Sequence, residues 1–251
     1  MKTEVRQRLR KGAYLLPSAC TIGNILLGFF AVVSGFRGDF QKAALLVLAA
    51  GVVDALDGKL ARLTGTESEF GVQYDSLADV FTFGAVPALL AFLWGLHELG
   101  DAGWLVAVFF LVCTATRLAR FNVQTRVVDS RYFVGLPSPA AAGGVISILY
   151  FSPDQDWRPW VTAFLMGALL AFGGLMVSTF RYRSIKKLDL RQRWSYRALL
   201  MIALVLIVVA YHPPAFFLAA ASAYALSGPL GWLFSRFSRR PTPPLPTETS
   251  A

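Results

Sequence analysis

The sequence predicts an all-α polytopic membrane protein, a bundle of about eight transmembrane helices with both termini in the cytoplasm. The chain's 251 residues are 55% hydrophobic and 16% charged, with a mean hydropathy of +0.54, which is too apolar for an ordinary soluble domain. The apolar residues fall in runs near the roughly 20 residues that a helix needs to cross a hydrocarbon core. The basic residues then divide by side. With the amino terminus inside, all of the 24 Lys and Arg except Arg37, Lys42 and Arg158 fall on cytoplasmic segments, the bias expected of an inserted bundle.

Residues 1–12 form a basic arm carrying Lys2, Arg6, Arg8, Arg10 and Lys11, suited to anionic headgroups. The first span covers 13–34; no small-residue cleavage site follows it, so it reads as an uncleaved span rather than a signal peptide. The second covers 40–63 and the third 72–96, with a kink expected at Gly84 and Pro87. The fourth covers 104–121. The fifth, 137–151, starts with prolines that suit a first helical turn and is short for a bilayer. The sixth, seventh and eighth cover 160–178, 197–211 and 214–234. The membrane domain thus occupies 13–236, and a proline-rich polar tail, 237–251, is expected to be disordered. Cys20 and Cys113 sit in apolar runs without metal or redox spacing and read as packing residues. The net charge of +9 would suggest nucleic acid in a soluble protein, but its placement assigns it to the membrane surface, and no nucleic-acid partner is expected. There is no internal repeat.

Chemistry concentrates in Asp54-Ala55-Leu56-Asp57-Gly58-Lys59-Leu60-Ala61-Arg62 and Gly71-Val72-Gln73-Tyr74-Asp75-Ser76-Leu77-Ala78-Asp79. Asp54 and Asp57 are three residues apart and Asp75 and Asp79 four, so each pair shares a helix face and the pairs can oppose one another. Close like charges in a poorly hydrated site repel unless a cation or proton intervenes. Oxygen ligands suit Mg2+ or Mn2+, with Ca2+ a candidate at one site. Helix capping or a hydrated loop is the bland alternative, disfavoured because ionisable groups within a membrane are costly. Gly58 and Ala61 leave room for a flat ligand or a neighbouring helix, and Arg62 can pair with phosphate oxygens or with the carboxylates.

With eight intervening residues between Arg62 and Gly71, the pattern Asp54-x-x-Asp57-Gly58-x-x-Ala61-Arg62 … Gly71-x-x-x-Asp75-x-x-x-Asp79 resembles the signature of the CDP-alcohol phosphotransferases. The resemblance implies a membrane enzyme that moves a phosphoryl-containing group from a CDP-activated donor to an alcohol and releases CMP. It implies divalent metal on Asp54, Asp57, Asp75 and Asp79, with Asp79 as general base. Nucleotide and diphosphate contacts are implied at Thr21, Asn24, Asp54, Gly58, Ala61, Arg62 and Gly71, the first two through a Thr-x-x-Asn segment similar to the family's.

The runs Arg117-Leu118-Ala119-Arg120-Phe121-Asn122, Phe133 to Gly143 and Met176 to Ser184 resemble the branch that uses CDP-diacylglycerol and L-serine, and the likeness extends over roughly 17–187. Arg117, Arg120, Asn122, Ser138, Arg181 and Arg183 are then the acceptor candidates, the arginines because a serine carboxylate needs a cation. Glycerol 3-phosphate or inositol as acceptor stays open, since basic residues suit several alcohols. A homodimer and a multi-pass place in the cell's inner (cytoplasmic) membrane, with the site facing the cytoplasm, complete the expectation. A cation-coupled transporter would call for acidic residues deep in the spans and a pseudo-repeat, and the sequence has neither.

Overall fold

The computed structural model describes residues 2–64, 69–124, 132–152, 159–183 and 211–237; the side chains of 2–18, 57–64, 124, 132, 133, 181, 183 and 234–237 lie outside that description. The elements are α1 (Lys2–Phe36), α2 (Phe40–Thr64), α3 (Glu69–Val80), a π-turn (Phe81–Ala85), α4 (Val86–Trp94), a 3-10 turn (Leu96–Leu99) and α5 (Asp101–Gln124). There follow β1 (Tyr132–Val134), α6 (Ser138–Phe151), α7 (Pro159–Val177), β2 (Arg181–Arg183) and α8 (Pro213–Phe237).

Five helical segments among the described residues are long and apolar enough to cross a membrane: Ala19–Phe36, Glu69–Trp94, Asp101–Val123, Pro159–Val177 and Pro213–Leu233. They coincide with the first, third, fourth, sixth and eighth expected spans. Helix α2 coincides with the second but carries Lys42, Asp54, Asp57, Lys59 and Arg62 along its length. The expected seventh, 197–211, lies outside the described residues except for Tyr211. The backbone of α1 runs on from the basic arm as one helix.

Polarity is inverted relative to a soluble protein. Ile22, Leu26, Phe29 and Phe30 on α1 and Leu105, Val108, Phe109 and Val112 on α5 face outward, whereas Thr21, Asn24, Thr82, Thr114, Arg117, Ser138 and Thr162 are buried. Such apolar outer stripes are stable against lipid and unstable against water.

The short helix α6 resolves how a span of this length is tolerated. Its 14 residues reach about 21 Å at 1.5 Å per residue, less than a hydrocarbon core of about 30 Å. It is nonetheless the centre of the bundle: Ala141, Ala142, Gly144, Val145, Ile146, Ile148 and Leu149 are buried, and α2, α4, α7 and α8 pack around it. Its neighbours, rather than its own length, keep it from lipid and water.

Where the sequence predicts a kink at Gly84 and Pro87, the helix widens into a π-turn. Pro87 has no N–H to offer the preceding turn, and the Val86 N–H bonds the Phe81 carbonyl instead. Gly84 lies against Leu111 and Thr114 of α5, where a Cβ would come within 3.1 Å of either side chain. At the end of the bundle away from α3's start, Asp39 Oδ1 accepts the Lys42 N–H and caps α2. There too, Trp94 Nε1 donates to the Ser152 carbonyl and ties α4 to the end of α6.

Two short strands, absent from the all-helical expectation, pair antiparallel with Phe133 opposite Tyr182. The turn leaving β1 is held by the Gly135 N–H on the Phe180 carbonyl and the Leu136 N–H on the Leu175 carbonyl. Gly135 has φ +82°, and a Cβ there would strike the Met176 carbonyl. Gly135→Ala is therefore expected to lose about 1–2 kcal/mol or more, the cost of a left-handed residue, lowering the melting temperature in detergent by about 2–8 °C. Gly143→Ala, in α6 with nothing within 4 Å of its new methyl, is expected to lose nothing.

Candidate active site

The ends of α2, α5 and α7 and the starts of α3 and α6 gather at one end of the bundle, because successive helices reverse direction there. Asp54 on α2 meets Asp75 and Asp79, which lie one helical turn apart on α3. One oxygen from each of the three carboxylates lies within 4.8 Å of the others, and all three residues are half-buried. Three negative charges so close and partly desolvated require a cation or protons among them. Asp79 Oδ1 is buried and has no hydrogen-bond partner among the described residues, a vacancy of the kind a ligand or a proton fills. The donor set is all oxygen, which fits Mg2+ or Mn2+. Asp57 belongs to the same helix one turn beyond Asp54; its side chain and those of Ala61 and Arg62 lie outside the described residues, as does the setting of Gly58. Gly71 lies in α3 one turn before Asp75.

Helix α1 closes one side. Thr21 is buried, and Asn24, 1% exposed, has neither amide atom paired among the described residues. Leaving such a group unpaired costs about 1–3 kcal/mol, a cost a bound ligand removes. The Thr82 hydroxyl donates to the Asn24 carbonyl at 3.4 Å, setting α1 against the turn that follows Asp79.

Helix α5 closes the other side. Arg117, 7% exposed, donates from Nη1 to Ser138 Oγ at 2.8 Å, stands 5.8 Å from the centre of the Phe121 ring, and lies within electrostatic reach of Asp79. Its Nε is buried and has no partner among the described residues. Arg120 is engaged differently: its guanidinium donates to the carbonyls of Val134 and Val177 at 3.0 Å, Ser178 at 3.2 Å and Met176 at 3.4 Å. It caps the carboxyl end of α7 and fastens β1 to it. Asn122 Nδ2 donates to Ser76 Oγ at 2.9 Å, and the Ser76 hydroxyl donates to the Val72 carbonyl, so α5 is pinned to α3 beside its aspartates.

Of the acceptor candidates, Arg117 and Ser138 are thus joined beside Asp79, while Arg120 and Asn122 bond the surrounding frame. Arg181 and Arg183 lie on β2 with their side chains outside the described residues. Sequence reasoning gave no role to Thr82 or to Tyr224 of α8, which is within electrostatic reach of Arg117. Ser76 lies inside the acidic motif and was legible as a neighbour of Asp75; Tyr224 lies in a run with no motif.

Residues 14–179 match the CDP-alcohol phosphatidyltransferase family. A protein of Helicobacter pylori named CDP-diacylglycerol–serine O-phosphatidyltransferase is 34% identical over 222 residues, covering 88% of this chain and 92% of that one. Proteins with the same name from Bacillus subtilis and Saccharomyces cerevisiae are 31% and 35% identical. The first alignment covers 68% of this chain and 92% of the relative, the second 52% and 51%.

The acidic cluster carries an expectation of its own. Purified protein in detergent should take up Mn2+, read by calorimetry or by loss of the free-ion paramagnetic signal. Asp75→Asn should weaken that uptake by about tenfold or more, whereas Asp39→Asn at the far end of the bundle should leave it unchanged.

Proposed function

The chain belongs to the CDP-alcohol phosphatidyltransferase family, and from that premise we propose that it transfers the phosphatidyl group of CDP-diacylglycerol to the hydroxyl of L-serine, giving phosphatidylserine and CMP. The observation that carries this reading is the buried Arg117–Ser138 pair beside Asp79, with a guanidinium donor left open among the described residues. An acceptor with a carboxylate next to its hydroxyl matches that arrangement: the carboxylate takes the charged donor while the hydroxyl reaches the acidic cluster.

Asp54, Asp57 and Asp75 would hold a divalent cation, which would neutralise the diphosphate when bound. The remaining steps belong to the chain. Asp79 takes the proton of the serine hydroxyl as its oxygen bonds to the phosphorus that carries diacylglycerol. The bond from that phosphorus to the CMP oxygen breaks, and CMP leaves. Thr21, Asn24, Gly58, Ala61, Arg62 and Gly71 form the nucleotide and diphosphate side, with the Asn24 amide, unpaired among the described residues, as the strongest support. Arg120 and Asn122 hold the frame around Arg117.

The lipid's acyl chains lie among helices whose outer faces are already apolar, so the headgroup meets the aspartates without leaving the membrane. The charge pattern supports an eight-span protein of the cytoplasmic membrane, both termini and the site inside, with 1–12 as a basic arm, 13–236 as the membrane domain and 237–251 as a tail. Family likeness supports a homodimer.

The test is CMP release from CDP-diacylglycerol with Mn2+ and a panel of alcohols. Serine is expected to raise release well above the rate with water, and glycerol 3-phosphate and inositol are expected not to; serine at the level of water would refute the assignment. Asp79→Asn should lower the rate by about 10²–10⁴-fold, the range for a lost general base. Arg117→Lys should raise the serine KM about tenfold through loss of the planar donor, with the KM for CDP-diacylglycerol unchanged.

A further inference from the structure

The aspartates of α3 sit on a helix that the core grips weakly. Of its twelve residues Ala78 alone is buried, and Phe70, Val72 and Leu77 face outward. One small methyl resists neither sliding along the helix axis nor rotation about it. A slip of one residue would move a carboxylate by about 1.5 Å and turn it by about 100°. Ligand distances around a bound cation, by contrast, must hold to within about 0.2 Å. Apolar packing therefore leaves the position of these carboxylates under-determined, and polar ties have to supply the rest.

One tie follows Asp79, where the Thr82 hydroxyl donates to the Asn24 carbonyl. Another lies at the level of Asp75. The Ser76 hydroxyl gives its single proton to the Val72 carbonyl at 2.9 Å, so its oxygen is left as an acceptor, and Asn122 Nδ2 donates to it at 2.9 Å. Ser76 adjoins Asp75 and stands one turn before Asp79, so a bond at this point sets both the height and the rotation of the acidic face. Asn122 is a firm anchor for it. Two positions earlier on α5, Arg120 donates to the carbonyls of Val134, Met176, Val177 and Ser178, and α5 packs along α7. The position of that frame is passed through the end of α5 to α3.

We propose that Asn122 is a positioning residue for the divalent cation rather than a contact for the acceptor: through Ser76 it holds Asp75 at the height and rotation at which it and the carboxylates of α2 take up the ion. This rests on the reading of the acidic cluster given above. Arg117 is carried by the same helix five positions earlier, so the bond also keeps the cation and the guanidinium at a constant spacing.

The experiment uses the full chain in detergent, with Asn122→Ala, Ser76→Ala, the double variant Asn122→Ala/Ser76→Ala, and Asp75→Asn as reference. Mn2+ affinity is measured by calorimetry without substrates, melting temperature in the presence of a chelator, and CMP release as a function of Mn2+ and of serine. Asn122→Ala and Ser76→Ala are each expected to weaken Mn2+ binding about tenfold. The Mn2+ needed for half-maximal CMP release should rise by the same factor, with the serine KM at saturating Mn2+ unchanged. The double variant should bind Mn2+ no more weakly than either single one, because both remove the same bond. Ser76→Ala places a good helix former in α3 and carries the test by itself should Asn122→Ala fail to fold. If Asp75→Asn weakens Mn2+ binding and neither of the others does, the inference is overturned and the reading of the cluster stands. If Asp75→Asn binds Mn2+ as tightly as the unsubstituted protein, that reading falls, and the inference with it. A raised serine KM at saturating Mn2+ in Asn122→Ala makes the residue an acceptor contact, and a lowered melting temperature with unchanged Mn2+ affinity makes it a packing group; either result overturns the inference.

Discussion

The constraint on which the rest depends is the mutual repulsion of Asp54, Asp75 and Asp79, whose carboxylates approach within 4.8 Å at one end of an apolar bundle. Left to themselves, α2 and α3 would separate there to let water in. Several contacts oppose this. Asn122 reaches across from α5 to Ser76, which lies on α3 between its two aspartates. Thr82 ties the turn after Asp79 to α1. Arg117 places a positive charge within reach of Asp79. Each of these is a buried or half-buried polar contact of the kind that is costly when incomplete, and together they hold the acidic cluster ready for the cation whose binding relieves the repulsion.

The same logic explains the position of α6. A helix too short to span the bilayer alone can be placed at the centre of the bundle, where its sides meet protein rather than lipid. That brings Ser138, its first residue, level with Arg117 near the end of α5. The turn leading into it cannot drift, because Gly135 and Leu136 donate to the carbonyls of Phe180 and Leu175, and Arg120 draws together the carbonyls of Met176, Val177 and Ser178 that lie between them. The polar groups proposed for the chemistry are thereby carried at the mouth of a bundle whose interior is mostly aliphatic and aromatic.

What could be read in the sequence follows from the range of the forces involved. Apolar runs and turn residues are local, so the segments now seen as α2, α5, α6 and α7 begin and end within a few residues of their expected places. The acidic pairs were legible because helical spacing alone puts Asp75 and Asp79 on one face. The strands β1 and β2 were not, since three-residue segments acquire their pairing from the helices that bring them together. The π-turn was visible only as a proline and a glycine; its widened register is set by Pro87's missing donor and by the contact of Gly84 with Thr114. The seating of α8 was invisible because it depends on the Tyr182 hydroxyl meeting the Ala225 carbonyl, which no local pattern records.

Arg117 and Arg120 show how little residue type decides. They stand three positions apart on one helix, within one turn of each other, in the same short motif. Arg120, nearer the helix end, meets carbonyls that α7 cannot satisfy within itself, and a guanidinium answers several of them at once. Arg117, a turn deeper, meets one serine hydroxyl and lies within electrostatic reach of Asp79, and its buried Nε has no partner among the described residues. Burying a cation with an unused donor is unfavourable unless something charged completes it. The deeper arginine is therefore the better placed for the acceptor role proposed for it, and the shallower one keeps its surroundings in place.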